Sequence, residues 1–222
     1  MDAGGTSPRF SDGVRAAAPL AAGPLLFGAS FGVLAGEAGM SSLAALVMSA
    51  TTFGGSAQFA VASILRDGGA AAAAILAAVM LNARYAPIGI SIASFFHGSA
   101  PKRLVQAQLI VDESWAVALK RRGGFDLAVM LGAGSLLYLT WVSGTAVGLL
   151  LGNAIGDANR LGLDAAFPAL FLALLIPQLT DRRKLAAALL GGAIALALIP
   201  FSPAGVPIVA GAAACCVGWD RP

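Results

Sequence analysis

From Leu127 to Leu151 the chain runs without a charged side chain, and that run limits the possible folds more than any other feature. A helix needs about 20 consecutive apolar residues to cross a bilayer, and within lipid its backbone donors and acceptors must be satisfied inside the protein. Comparable apolar runs recur along nearly the whole length, separated by short groups of charge. The chain is 58% hydrophobic and 11% charged, whereas a water-soluble domain carries about 25% charged residues. These observations predict an all-α integral membrane protein, a polytopic helical bundle with no separate soluble domain.

Candidate spans fall near 16–36, 42–65, 70–96, 103–119, 127–151, 163–179, 185–200 and 203–219. The reading is therefore about eight transmembrane spans in a single domain over 16–219, preceded by a cytoplasmic tail over 1–15. The net charge of +3 does not mark a nucleic-acid binder, because the basic residues lie in short groups between apolar runs. They act as topology signals instead. With both termini cytoplasmic, this arrangement retains Arg9, Arg15, Arg66, Lys120 to Arg122, Arg182 to Lys184 and Arg221 inside, and leaves Lys102, Arg103 and Arg160 outside. Treating 103–119 as a surface segment would move both basic triplets outside, so the charge bias places LIVDESWAVAL, residues 109–119, across the membrane.

Two spans carry breaks in their sequence. Pro24 removes a backbone donor from the first, and Gly54-Gly55 weakens the middle of the second. Discontinuous helices in transporters expose backbone groups that bind substrate near the bilayer midplane. A faint similarity between GPLLFGASFGVLA at 23–35 and FPALFLALLIPQL at 167–179 leaves a weak inverted repeat open. Most of the remaining glycines are read as packing residues that let helices approach closely.

Ionisable side chains within apolar spans are expensive and usually face partners or a wet cavity. Arg84 lies near the middle of the third span and Asp112 near the middle of the fourth, so an ion pair of Arg84 with Asp112 or Glu113 is expected to line a cavity. Adjacent helical residues point roughly 100° apart, so one carboxylate is the close partner. The pair is either a static lock on helix register or a carboxylate that takes up and releases a proton during transport. Ser49, Thr52, Ser56 and Ser63 recur at spacings that put their hydroxyls on one helical face of the second span, with Thr51 and Gln58 on another. Phe27, Phe31 and Phe59 would supply apolar contact beside that polar wall.

Other polar residues carry less. His97 has no Cys or acidic neighbours of ligand spacing, so no metal site is expected. Cys215 and Cys216 read as packing residues, Glu37 and Asp164 as span ends. Trp115, Tyr138, Trp141 and Trp219 read as interface anchors or packing residues. No hydrolase, P-loop or zinc-protease signature occurs, and no enzyme or cofactor is expected, although an intramembrane activity at Asp112 and Glu113 is conceivable.

The ordered motifs GVRAAAPLAAGPLLFGASFGVLAGEAGMS, TTFGGSAQF, LNARYAPIGIS and LIVDESWAVAL resemble the AzlC family, the large subunit of branched-chain amino acid exporters. The resemblance is clearest from Gly13 to Lys120. It implies export of branched-chain and related apolar amino acids across the bacterial inner membrane, with a small AzlD-type membrane protein as partner. Gly55, Ser56, Gln58, Phe59, Asn82, Arg84, Asp112 and Glu113 match the family pattern. Tyr85 departs from it, standing where members often carry histidine. Combining the resemblance with the residue chemistry, substrate is expected near Phe27, Gly28, Gly54, Gly55, Ser56, Gln58 and Phe59. Coupling is expected at Asn82, Arg84, Asp112 and Glu113. The competing readings are an uncoupled channel for a small solute and a subunit that only holds an assembly together.

Overall fold

A computed structural model describes residues 9–83, 85–119, 124–155, 172, 175, 176, 179–202 and 206–214. The described elements are helices, and among the described residues the sole sheet-like pairing is an isolated bridge between Leu119 and Phe125. Helix α1, Phe10–Ala17, passes through a 3-10 turn, Ala18–Leu20, into α2, Ala22–Glu37, with a bend of 63°. The first span is thus discontinuous, as expected, but it breaks at Ala21. Pro24 is only the third residue of α2, where the first intrahelical bond runs from Leu25 to Ala21, so its missing N–H is not needed. The segment read as a tail is already helical from Phe10 and packs on the long helix described below.

The second apolar run forms α3, Ser42–Thr52, and α4, Gly55–Arg66. Phe53 between them adopts a left-handed conformation (φ 39°) and Gly54 an extended one, so the break falls at the predicted glycine pair. This break corrects the expectation of a single hydroxyl face. Ser49 on α3 bonds Thr145, whereas Ser56 lies on a different helix, α4, and its Oγ has no hydrogen-bond partner among the described residues.

The third run is α5, Ala71–Asn82, and α6, Tyr85–Ile92, bent by 42°. The fourth is also two helices, α7 at Ala100–Gln108 and α8 at Asp112–Ala118. The continuous helix expected over 103–119 is therefore corrected. Ser114 is the cause: its buried Oγ accepts from the Val111 N–H at 3.0 Å and lies 2.8 Å from the Leu109 carbonyl and 3.0 Å from that of Val111. A serine that satisfies backbone groups locally competes with helix continuation. Asp112 consequently opens a helix instead of sitting in the middle of one.

Helix α9, Leu127–Ile155, is the axis of the fold. Asp126 caps it by accepting from the N–H groups of Ala128 and Val129 at 3.1 and 3.3 Å. Two short glycine series interlock along it. A Cβ on Gly28 or Gly32 of α2 would collide with the Trp141 or Thr145 carbonyl, and one on Gly144 or Gly148 of α9 would collide with Leu25 or Ala29. Gly13 of α1 and Gly132 of α9 repeat the arrangement. Small residues four apart on both partners let the backbones touch. The buried Ser49 and Thr145 hydroxyls, 2.7 Å apart, pin α3 to the same helix.

Helices α10, Arg182–Leu198, and α11, Val206–Ala212, cross where Gly191 meets the Gly211 carbonyl. Leu189, Leu196 and Phe201 point outward, and the segment Arg182–Phe201 has no buried residue. Among the described residues two helices are long and apolar enough to cross a membrane, Leu127–Gly152 and Arg182–Phe201, or up to four if each bent pair is one span. The count of about eight is not confirmed, because the second and fourth runs are each two short helices. Run 163–179 lies almost entirely outside the described residues, as do Cys215, Cys216, Trp219 and much of 203–219.

Candidate functional site

The broken helices converge. A cavity of about 230 Å³ is lined by Leu20, Gly23, Pro24 and Phe27 from the first bent pair, and by Phe53, Gly55 and Ser56 at the α3/α4 break. Tyr85 of α6, Val111, Asp112 and Glu113 at the start of α8, and Leu137 and Trp141 of α9 complete it. Its volume lies just under the range of about 300–1,000 Å³ typical of drug-sized ligand sites. The size suits one small metabolite.

Three features give the cavity polarity. The first turn of α4 has no side-chain cap, since Gly54 is its N-cap residue, and such a turn presents unpaired N–H groups and a partial positive charge. Ser56 is 3% exposed and Trp141 7% exposed, yet Ser56 Oγ and Trp141 Nε1 have no hydrogen-bond partner among the described residues. Asp112 and Glu113 supply the acidic edge from the first turn of α8.

Hydrogen bonds from outside the cavity hold the α3/α4 break open. Gln108, the last residue of α7, donates from Nε2 to the Ala50 and Thr51 carbonyls at 3.1 and 3.0 Å. Tyr138 Oη donates to the Ala50 carbonyl at 3.0 Å. The carbonyls that helix termination leaves unpaired on α3 are thus capped by the other broken helix and by α9.

The expected binding residues separate into groups. Phe27, Gly55 and Ser56 line the cavity. Gly28 does not; it lies in the α2–α9 crossing against the Trp141 backbone. Phe59 is buried behind the cavity, its ring 6.0 Å from those of Phe31 and Trp141. Gln58 is fully buried and both its amide atoms lack hydrogen-bond partners among the described residues. Gly54 packs on the Asn82 amide, where a Cβ would lie 2.5 Å from Oδ1. Asn82 itself faces a second, mostly apolar pocket with Met48, Thr52 and Val61, and its Oδ1 has no hydrogen-bond partner among the described residues. Asp112 and Glu113 share the first cavity, whereas Arg84 and the ion pair expected of it lie outside the described residues.

Residues given no binding role by the sequence reading include Leu137, Val111 and, above all, Trp141. The signal for Trp141 was depth: it sits near the centre of Leu127–Gly152, too far from either end for an interfacial anchor. His97 is exposed, with Nδ1 2.7 Å from the Phe95 carbonyl. No group of three His, Cys, Asp or Glu able to hold a metal occurs among the described residues. At the far end of α2 and α4, Glu37 pairs with Arg66 at 3.7 Å.

The sequence model of the family described as AzlC protein matches residues 19–155, more than half of the chain and the whole of the cavity wall. The chain belongs to the AzlC family. It is 31% identical over 186 residues to the branched-chain amino acid transport protein AzlC of Bacillus subtilis, covering 81% of this chain and 71% of that one. A membrane protein of Archaeoglobus fulgidus is 34% identical over 195 residues, 86% of each chain. A membrane protein of Helicobacter pylori is 25% identical over 177 residues, 78% of this chain and 77% of the relative. No solved structure matches the chain. Family membership and the apolar helices together establish a membrane protein with a transport role.

Proposed function

We propose that this chain is a multi-pass secondary exporter of branched-chain or related small apolar amino acids in the bacterial inner membrane, with both termini cytoplasmic. Protons drive it through Asp112 or Glu113, and a small AzlD-type membrane subunit works with it. The observation that carries the reading is the cavity: apolar on Phe27, Leu137 and Trp141, acidic on Asp112 and Glu113, and bordered by two helix breaks. Apolar walls with a few placed polar groups suit a small amphipathic solute, and discontinuous helices are where transporters bind substrate. The name of the Bacillus subtilis relative points to the same substrates. The reading requires no cofactor and assigns no catalytic residue.

The test is export of leucine, valine and methionine from cells expressing this chain alone and together with a small AzlD-type membrane protein. Export above background in at least one of the two is expected; none in either overturns the reading. In proteoliposomes, leucine accumulates against its own gradient when a pH gradient is imposed. Equilibration without accumulation would favour an uncoupled channel. Glu113→Gln and Asp112→Asn decide the coupling: at least one is expected to flatten the pH dependence of transport, and an unchanged profile in both removes these carboxylates from proton transfer.

A further inference from the structure

We propose that residues 42–66 and 100–118 do not cross the membrane: each is a re-entrant hairpin, the two enter from opposite faces, and their tips meet at the cavity. The inference rests on the membrane location of the chain and is independent of what is transported.

Helix α9 supplies the ruler. Gly13 of α1 lies against Val129 and Ala133, Gly28 of α2 against Trp141, and Val33 against Gly152. The first bent pair therefore runs parallel to α9 and carries the chain from its Leu127 end towards its Gly152 end. α3 runs the opposite way: Ser49 meets Thr145, the Ala50 carbonyl meets Tyr138, and the Phe53 ring lies 5.1 Å from that of Tyr138. α4 then reverses again, with Gly55 against Trp141, Phe59 against Phe31, and Arg66 paired with Glu37 at 3.7 Å. This hairpin leaves on the face it entered, and its tip at Phe53–Gly54 stops near the middle of the span Leu127–Gly152.

The bent pair α5–α6 does cross. Ala74 and Ala77 pack with Val61 and Ile64, Asn82 reaches Gly54, and Ile92 shares a buried cluster with Met130. Just beyond the Phe95–Phe125 ring contact at 5.2 Å, α7 starts inward and brings Leu109 to Gly134. α8 returns: Asp112 and Glu113 line the cavity, Ala118 joins the cluster of Ile92 and Met130, and its carbonyl accepts from the Asp126 N–H at 3.0 Å. The second hairpin thus begins and ends at the Leu127 end of α9. Gln108 Nε2, on the Ala50 and Thr51 carbonyls, joins one tip to the other.

Length and charge agree with this arrangement. The four half-helices have 11, 12, 9 and 7 residues, about 10–18 Å each, against about 30 Å of hydrocarbon. Non-helical backbone at membrane depth needs partners within the protein. Gln108 and Tyr138 serve Ala50 and Thr51, and Ser114 serves Leu109 and Val111. Turning one crossing run into a hairpin would invert the side of both basic triplets, but turning both leaves every segment after Leu119 on the side it already had. Lys102 and Arg103 then join Arg9 and Arg15 on the cytoplasmic face, and Arg66 moves to the outer face beside Glu37. That distribution satisfies the positive-inside rule better than two crossings do.

Single cysteines in the full chain carrying Cys215→Ala and Cys216→Ala test the topology, labelled by a membrane-impermeant maleimide in intact cells and in inside-out vesicles. Ser11→Cys and Ser42→Cys mark the two faces in either arrangement. Ala70→Cys is expected to label from the Ser42 face, and Lys102→Cys and Leu119→Cys from the Ser11 face. Labelling of Ala70→Cys from the Ser11 face means that 42–66 crosses; labelling of Lys102→Cys and Leu119→Cys from opposite faces means that 100–118 crosses. Either result overturns the proposal. Asp67→Cys and Ser99→Cys repeat the deciding positions, so a variant that fails to insert does not leave the outcome open. A chain with the expected labelling that exports no amino acid refutes the transport reading and keeps the topology; export with crossing labels does the reverse.

Discussion

At the scale of single residues, Trp141 joins helix packing to the cavity wall. Its carbonyl abuts Gly28, its ring abuts Gly55 and Phe59, and its side chain lines the cavity. Gly28→Ala is therefore expected to destabilise the protein by about 1–3 kcal/mol through overpacking against rigid backbone, and to weaken leucine binding by moving Trp141. Gly36→Ala, on the same helix with nothing within 4 Å of the added Cβ, should be neutral or stabilising by about 0.5–1 kcal/mol. Thermal unfolding of the two variants in detergent checks the contrast, and equal effects would show that the crossing yields easily. Thr145→Val strands the buried Ser49 hydroxyl, with an expected loss of about 1–3 kcal/mol in the same measurement. Much of this was legible in the sequence. Ser56, Asp112 and Glu113 stood out as polar groups inside apolar runs, whereas Gly28 looked like a binding residue because sequence cannot say which face of a glycine meets another backbone.

At the scale of elements, the breaks decide where the chemistry goes. The α3/α4 break was readable because adjacent glycines are poor helix formers. The α7/α8 break was not, since LIVDESWAVAL contains neither glycine nor proline and the agent is Ser114 turning back on Leu109 and Val111. Gln108 and Tyr138 tie the two regions together through the Ala50 carbonyl. Gln108→Leu and Tyr138→Phe should each cost about 1 kcal/mol, and because both serve one carbonyl their combination should depart from additivity. Hydrogen exchange should rise over residues 50–54 in both variants. Exchange confined to the mutated helix would show that the breaks are held independently.

At the scale of the whole molecule, the fold class followed from charge-free runs, but the number of crossings did not, because an apolar run of crossing length can be two half-length helices. The single pH effect argued from a titrating group outside the spans belongs to Asp181, which precedes the candidate span Arg182–Phe201. The Lys184 N–H, at 2.9 Å, is the main influence holding its carboxyl below the ordinary carboxylate value; desolvation opposes it, and the Arg183 N–H and the charges of both side chains add to the lowering. A depressed folded-state value means the stabilisation is fully present above the ordinary carboxylate range and is lost as pH falls through the lowered one. Asp181→Asn should lower stability modestly at neutral pH, change little below the lowered carboxyl value, and so flatten the acid limb of a stability profile; an unaltered acid limb would dismiss the effect.

The glycine crossing of α2 on α9 bears on how such a molecule moves. Helices that touch backbone to backbone have no layer of side chains to shear against, so α2, α9 and the α1 segment clipped beside them travel as one rigid frame. If the proposed transport exposes the cavity to the two sides of the membrane in turn, the rearrangement falls to the half-helices that end at its walls. Their short arms meet at Phe53–Gly54 and Leu109–Val111, and the glycine-packed pair is the frame that holds still beside them.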